Sequence, residues 1–246
     1  DRRKKDSEIT SEARRMVSDD ARMGNARTTV LFRQGWHKGV IGIVASRLIE
    51  TYYRPTVILT ESKDGFATGS ARSVPGYDLY QAIESCSDLL ESFGGHMFAA
   101  GLTMKQENLP SFRARFEKFV SETIKDEHLV PSINVDEEIA LEDVTPELFR
   151  NLERFQPFGP DNVAPVFVSR RVKTLACQPV GNNGMHLKLS FARQNAEPIG
   201  AIAFGQADMT ELFRENGGVV DIAYSVEMND FRGKVSVQLN IKDIKA

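Results

Sequence analysis

Cysteine and histidine are scarce in this sequence. Its 246 residues include two cysteines, Cys86 and Cys177, and four histidines. Two cysteines so distant in sequence exclude a disulfide framework, and their spacing is not that of a metal site. We therefore interpret them as the reduced thiols of a cytoplasmic protein.

Long apolar runs and an excess of positive charge are missing as well. No stretch approaches the roughly 18 apolar residues of a membrane-spanning helix, and no signal-peptide pattern opens the chain. The net charge is −3, so binding of nucleic acid would require a local basic groove. The chain starts at Asp1 within a charged helical pattern, from which we expect a piece of a longer protein.

The most unusual stretch is Gly94–Gly101 (GGHMFAAG), in which three glycines and two alanines surround one histidine. A glycine cluster indicates a backbone that turns sharply or approaches another group closely. We predict that Gly94 ends a helix and that a loop including Gly95 then presents His96, which can donate hydrogen bonds. The alternative is a helix end followed by a tight turn into a strand.

A second glycine-containing stretch (GWHKGVIGIVASRL) predicts a turn followed by a helix that begins at Gly39. Gly42 and Ser46 share one side of this helix with Gly39, where small residues allow a backbone or a ligand to come close. The N-terminus of a helix suits a phosphate, and His37 and Lys38 lie just before it. The alternative is that the glycines serve packing of the helix on a sheet.

The stretch TGSARS lies on a predicted strand over residues 66–73. Alternate side chains of a strand share a face, so Thr68, Ser70 and Arg72 are predicted to point the same way. Two hydroxyls and a guanidinium, whose planar fork donates parallel hydrogen bonds, suit an oxyanion. The alternative is a solvated sheet face with an ordinary surface arginine.

After a turn-rich boundary at residues 157–162 the apolar residues alternate with a period of two. The predicted elements are strands over 166–176, 186–192, 199–204, 221–228 and 234–243, and a helix over 208–216. A helix between the third and fourth strands matches the order of the OB fold, which binds oligonucleotides. The candidate contacts are Lys188, Phe231, Arg232 and Lys234; a plain hairpin tip is the alternative for Phe231 and Arg232.

Further expectations concern local structure. An amphipathic helix over residues 78–93 is predicted to bury Cys86. The carboxylates at positions 136–138 lie on a predicted strand over 133–141, and we interpret them as a solvated strand end, since no histidine is spaced to complete a metal site. A helix that starts at Thr145-Pro146 is predicted to bury Phe155.

Taken together, in this order and spacing, the stretches at 35–48, 68–73 and 94–101 resemble the DHHA1 domain of RecJ-type single-strand-specific exonucleases, members of the DHH phosphoesterase superfamily. The resemblance runs from about Thr28 to Lys125, and everything from residue 157 onward is similar to the OB-fold domain of that family. It implies an α/β DHHA1 domain, a mixed sheet with flanking helices, followed by an all-β OB-fold barrel.

The resemblance also implies an order of segments along the chain. These are the end of an interdomain linker helix (1–26), the DHHA1 domain (27–130), a connecting segment (131–156) and the OB-fold domain (157–246). The Asp-His-His signature of the metal-binding domain in this family is absent from the sequence. We therefore assign no metal ligand to this chain, and we expect it to be inactive alone.

The resemblance implies a role for this chain in substrate binding. In the family, the matching serine and arginine hold a phosphate of the DNA, which places Ser70 and Arg72 there, with His37, Lys38, Gly94, Gly95 and His96 as further candidates. No residue is assigned as catalytic, although His96 is a candidate, since it could hydrogen-bond the scissile phosphate. The whole enzyme would use Mn²⁺ or Mg²⁺ to cleave single-stranded DNA from 5′ to 3′ in DNA repair and recombination. Single-strand-binding protein and a helicase are the protein partners implied.

Three other functions remain open at this point. A small-nucleotide phosphodiesterase of the same superfamily would share the DHHA1 stretches but would not be expected to carry an OB fold. A non-catalytic single-strand-binding module would need no catalytic domain. A protein-interaction scaffold would use Phe231 and Arg232 to contact a repair partner. The preference for DNA over RNA follows from the resemblance alone.

Overall fold

The structure, a computed structural model, describes residues 2–159, 161–215, 217–231 and 233–245, apart from the side chains of Arg2, Arg3, Asn182, Arg214, Glu215, Phe231 and Lys234. Two units make up the chain, Asp1–Pro131 and Ser132–Ala246. No helix of the described part is long and apolar enough to cross a membrane.

A mixed five-stranded sheet organises the first unit. Its strands are Thr29–Phe32 (β1), Thr56–Glu61 (β2), Phe66–Arg72 (β3), Ser92–His96 (β4) and Ala99–Lys105 (β5), in the order β1-β2-β3-β5-β4. The β1–β2 pair is parallel and the other pairs are antiparallel. The helices are Arg2–Asp19 (α1), Ile41–Tyr52 (α2), Leu79–Glu84 (α3) and Leu109–Thr123 (α4). The predicted mixed sheet with flanking helices is confirmed.

Helices cover both faces of this sheet because successive strand residues point to opposite sides. In β2, Val57 and Leu59 belong to a core that includes Phe112 and Phe116 of α4. Between them, Ile58 joins a second core with residues of α1 and α2. This alternation explains why β2 reads as a continuous apolar run in the sequence.

The predicted helix over residues 78–93 is wrong in its second half. Asp78 caps α3 by accepting hydrogen bonds from the backbone of Tyr80 and Gln81, but the helix ends at Glu84. The chain then forms a short 3₁₀ turn and enters β4, so the GGH stretch is an edge strand rather than a loop. Cys86 is fully buried, as predicted.

A closed barrel forms the second unit. Its long strands are Phe167–Val180 (β7), His186–Arg193 (β8), Ala196–Ala203 (β9), Val219–Phe231 (β10) and Lys234–Lys245 (β11). They pair in the order β7-β8-β9-β11-β10, and β10 closes the barrel onto β7. The helix Thr210–Glu215 (α6) connects the third and fourth of these strands. This is the predicted OB-fold order.

The segment before the barrel differs from the prediction. Only Glu137–Glu138 (β6) is a strand, against the predicted 133–141, and it pairs with the start of β7. The helix Pro146–Glu153 (α5) is capped by Thr145 as predicted, but Phe155 beyond its end is 65% exposed rather than buried. The helical spacing of apolar residues predicted that Phe155 is buried because it assumed a helix that continues to this residue. The helix ends at Glu153 instead.

One buried hydrogen-bonded tyrosine stabilises the barrel. Tyr224 is fully buried, and its hydroxyl lies 2.8 Å from Ser169 Oγ. Ser169 donates its own proton to the carbonyl of Ile139 at 2.6 Å, so the tyrosine must be the donor in the pair. Burial raises the pKa of Tyr224 to about 12.

This raised pKa predicts an alkaline loss of stability. Between pH 10.0 and about 12, Tyr224 keeps its proton in the folded barrel but loses it in the unfolded chain. The free energy of unfolding is therefore unaffected by the titration of this group below pH 10.0. It falls as the pH rises above 10.0, by up to about 3 kcal/mol. Chemical unfolding at several alkaline pH values measures the loss. In Tyr224→Phe that part of the pH dependence should vanish; an unchanged profile in this variant would contradict the assignment.

Candidate nucleic-acid interface

Strand β3 presents the predicted polar row on one face. Thr68, Ser70 and Arg72 are half-buried, whereas the alternate residues Ala67 and Ala71 are fully buried in the core under α4. The alternation predicted from the sequence is therefore confirmed. Helix α2 packs over β2 and β3 on the polar side.

The strand register brings the GGH stretch to the same face. Arg72 lies opposite Ala99 of β5, which lies opposite His96 of β4. Directly opposed residues of antiparallel strands share a face, so Arg72 and His96 flank Ala99 from both sides. With strands about 4.8 Å apart, the two Cα atoms are separated by about 10 Å.

Two glycines lie beside this row on the same face of the sheet. Ser70 is opposite Gly101, and Gly101 is opposite Gly94. Both glycines are exposed, and nothing lies within 4 Å of where a side chain would start on Gly94. The face therefore forms an open, shallow surface with hydroxyl and guanidinium groups at one side and the imidazole at the other.

The guanidinium of Arg72 is held in place. Its Nη1 donates to Ser70 Oγ at 2.9 Å and to the carbonyl of Ala71 at 2.8 Å. A guanidinium has five donor hydrogens, and these two bonds use Nη1 alone. Within the described part of the chain, Nε and Nη2 thus have donors to offer to an anion.

The first turn of α2 closes one side of the surface. A Cβ on Gly42 would lie 2.9 Å from Arg72 Nη2 and 3.0 Å from Ser70 Oγ, so a larger residue would displace the end of the Arg72 side chain. The helix begins at Ile41 rather than at the predicted Gly39. Helix geometry leaves the first N–H groups, those of Ile41 and Gly42, without intrahelical acceptors. Backbone donors and Arg72 therefore lie close together.

His96 has a defined orientation at the other side. Its Nδ1 accepts a hydrogen bond from the backbone N–H of Phe98 at 3.3 Å. In the neutral imidazole the proton then resides on Nε2, which is a donor. The side chain is exposed, so this donor is available to a ligand.

The structure does not bring Lys38 to this surface. Its Nζ donates to Ser62 Oγ at 2.8 Å, at the loop end of the β2–β3 hairpin, whereas Arg72 lies at the opposite end of β3. His37 Nδ1 accepts from the backbone of Gly39 at 3.0 Å and thereby shapes the turn before α2. Lys38 is thus separated from the row of Arg72 and His96.

In the second unit, the structure describes one of the four predicted contacts in full. Lys188 is exposed on β8, with Gln178 and Ile202 as its neighbours on the outer face of the barrel. Arg232 and the side chains of Phe231 and Lys234 lie outside the described residues.

Sequence reasoning missed an aromatic pair on this outer face. Phe204 is 57% exposed, and its ring meets that of His186 edge-on with centroids 5.3 Å apart. The imidazole is fixed because Nδ1 accepts from the backbone of Gly205 at 3.0 Å. The sequence contained a signal for the exposure of Phe204. In β9 the alternate residues Ile199, Ala201 and Ala203 are buried, so the alternation directs the following side chain outward.

In the described part of the chain, carboxylates and histidines do not gather into a metal site. Among the residues that the structure describes, no group of three or more histidine, cysteine, aspartate or glutamate side chains could hold a metal ion. Glu138 instead pairs with Arg170 at 2.7 Å, and Asp136 accepts from the backbone of Val166 at 2.8 Å. The absence of a metal ligand from the whole chain stays a prediction.

Comparison with known proteins identifies the family. A family model described as DHHA1 domain matches residues 25–122, and one described as RecJ OB domain matches residues 135–243. The chain belongs to the RecJ family. Relatives named single-stranded-DNA-specific exonuclease RecJ include those of Bacillus subtilis, 32% identical over 99% of this chain, and Escherichia coli, 32% identical over 87%.

Solved structures of RecJ from Thermus thermophilus have the same fold. The complex with Mn²⁺ matches with a TM-score of 0.79 and the complex with Mg²⁺ with 0.78; each is 25% identical and covers 100% of this chain. The chain covers 34% and 36% of those proteins, and 30% and 37% of the B. subtilis and E. coli relatives. It thus spans about a third of the length of these RecJ proteins.

The two neighbouring glycines of β4 are predicted to respond differently to substitution. Gly95 has φ 151°, and an added Cβ would lie 2.6 Å from Ala100 Cα and collide with the carbonyl of Ala99. We expect Gly95→Ala to destabilise the first unit by about 2 kcal/mol or more, and Gly94→Ala to change its stability by less than about 0.5 kcal/mol.

Urea unfolding followed by the fluorescence of Trp36 measures this difference. Trp36 is the single tryptophan of the chain and is buried in the first unit. Equal stabilities of the Gly94→Ala and Gly95→Ala variants would contradict the described course of β4.

Proposed function

We propose that this chain is the substrate-binding part of a single-strand-specific 5′→3′ exonuclease, and that its first unit binds a phosphate of single-stranded DNA. The observation that carries the proposal is the shared face of Arg72, Ser70 and His96. Arg72 and His96 are about 10 Å apart, with the small side chain of Ala99 between them and two glycines in the neighbouring row, which leaves room for one phosphate. Arginine suits this anion because its fork donates parallel hydrogen bonds.

The local charge of this surface supports the proposal despite the overall negative charge. The net charge of the chain is −3, but the surface itself offers Arg72, the imidazole of His96 and the N-terminus of α2. Hydrogen-bond donors on one surface bind an anion through short-range contacts rather than through a long-range field.

In this proposal the chemistry resides in a part of the protein that this chain does not contain. Mn²⁺ or Mg²⁺, as named for the Thermus thermophilus structures, would activate water there. This chain would position the strand, with the DHHA1 domain (27–130) holding the phosphate and the OB-fold domain (157–246) guiding the bases. Lys188 and the exposed pair His186–Phe204 are the proposed contacts of the barrel, by charge and by stacking.

A role in DNA repair and recombination is part of the same proposal, since single strands with free ends arise in both processes. The barrel argues against a small-nucleotide phosphodiesterase, which has no use for an oligonucleotide-binding fold. A protein-interaction module remains the second candidate, supported by Phe155, which is 65% exposed at the end of α5. Its partners would be single-strand-binding protein or a helicase.

Binding of a labelled single-stranded oligonucleotide with and without a 5′-phosphate tests the proposal. We expect tighter binding with the phosphate and a loss of about tenfold to a hundredfold in Arg72→Ala, because a charge-assisted hydrogen bond contributes about 1.5–3 kcal/mol. The salt dependence of binding should also weaken in this variant.

Arg115→Ala is the matched control. It removes the same charge from α4, on the other side of the sheet, where Arg115 pairs with Asp88. Binding should remain close to that of the unmodified chain. Equal affinities with and without the 5′-phosphate, or equal effects of Arg72→Ala and Arg115→Ala, would contradict phosphate recognition at Arg72.

A further inference from the structure

The turn between β4 and β5 exposes two large apolar side chains beside the proposed phosphate site. Met97 is 40% and Phe98 is 51% exposed. They connect His96 directly to Ala99, so they lie at the end of the strands, just beyond the row of Arg72, Ala99 and His96. A single exposed apolar residue needs no explanation, but the position and the fixation of Phe98 do.

Three hydrogen bonds fix the backbone of this turn. The carbonyl of Phe98 accepts from the backbone N–H of Ser73 at 3.0 Å, and that of Met97 accepts from Leu79 at 3.1 Å. The N–H of Phe98 donates to His96 Nδ1 at 3.3 Å. The turn is therefore bound to the residue that follows Arg72 and to the start of α3.

The ring of Phe98 is oriented by the imidazole. Its centroid lies 6.0 Å from that of His96, with an interplanar angle of 70°. Edge-to-face geometry is favourable for aromatic rings and restricts the orientation of both. The phenyl group is thus a half-exposed aromatic surface two residues from His96, and its backbone is hydrogen-bonded to Ser73, the residue that follows Arg72.

We propose that Phe98 is the stacking surface for the base of the terminal nucleotide whose 5′-phosphate is held at Arg72 and Ser70. This inference rests on the proposed function, since it requires a strand end at that site. Phosphate and base of one nucleotide would then contact neighbouring positions of one sheet face. Every nucleobase has a π-face, so the contact tolerates any sequence.

The test compares two 5′-phosphorylated single-stranded oligonucleotides that differ only in their first nucleotide, which carries a base in one and is abasic in the other. The unmodified chain should bind the first more tightly. Phe98→Leu should weaken its binding by about fivefold to a hundredfold, the range of base–aromatic stacking, and leave binding of the abasic oligonucleotide unchanged. Phe98→Tyr, which keeps the aromatic face, should retain the preference.

Phe155→Leu is the matched control, because it removes an exposed phenylalanine (65% exposed, against 51% for Phe98) from the second unit. Equal affinities of the unmodified chain for the two oligonucleotides, or equal losses with both in Phe98→Leu, would overturn the stacking proposal. The proposed function fails separately, when the unmodified chain does not distinguish 5′-phosphorylated from unphosphorylated strands. A phosphate-dependent chain that ignores the terminal base would therefore refute this inference alone.

Discussion

The antiparallel register of β3, β5 and β4 is the constraint on which the candidate interface depends. It places Arg72, Ala99 and His96 in one row and Ser70, Gly101 and Gly94 in the next. A shift of one residue would turn every one of these side chains to the other face. The register is secured because Ala71, Ala100 and Leu102 must face the core.

Glycine at two positions makes the arrangement possible for different reasons. Gly95 adopts a φ of 151° and lies against the backbone of Ala99 and Ala100, where no side chain fits. Gly42 lets α2 approach β3 closely, since a Cβ there would lie 2.9 Å from Arg72 Nη2 and 3.0 Å from Ser70 Oγ. The first lets β4 run beside β5, and the second places a helix N-terminus beside the guanidinium.

Much of this architecture could be predicted from the sequence. Apolar alternation gave the barrel strands, because each of them has one face in a single core. The alternation of Thr68, Ser70 and Arg72 predicted the polar face of β3. The resemblance to the RecJ family connected these elements to a function, and the family comparison confirms the membership.

The course of β4 could not be predicted, and the reason is physical. Leu79, Ile83 and Cys86 have helical spacing and are buried, and Leu89 and Phe93 continue the pattern. Leu89 and Phe93 reach the same core from a 3₁₀ turn and from β4. The spacing of apolar residues does not distinguish these two elements from a continued helix. A count of apolar spacing also does not register the hydrogen-bonded pairing of β4 with β5, which favours a strand over a helix here.

The position of Lys38 and the exposure of Phe98 and Phe204 likewise depend on tertiary structure. Lys38 is adjacent to a predicted phosphate site in sequence, yet its amine binds Ser62. Phe98 lies in a stretch rich in small residues, where the glycines and the histidine attract attention first. Only the ring contact in the structure, with centroids 6.0 Å apart, shows that the phenyl group lies beside His96.

The most direct test of the account is a map of backbone amide chemical shifts in the chain on addition of a 5′-phosphorylated oligonucleotide, compared with its unphosphorylated counterpart. The account predicts shift changes that depend on the phosphate at residues 41–42, 70–72 and 94–98. Changes that are the same for both oligonucleotides, or that are confined to the second unit, would contradict a phosphate site on the sheet of the first unit.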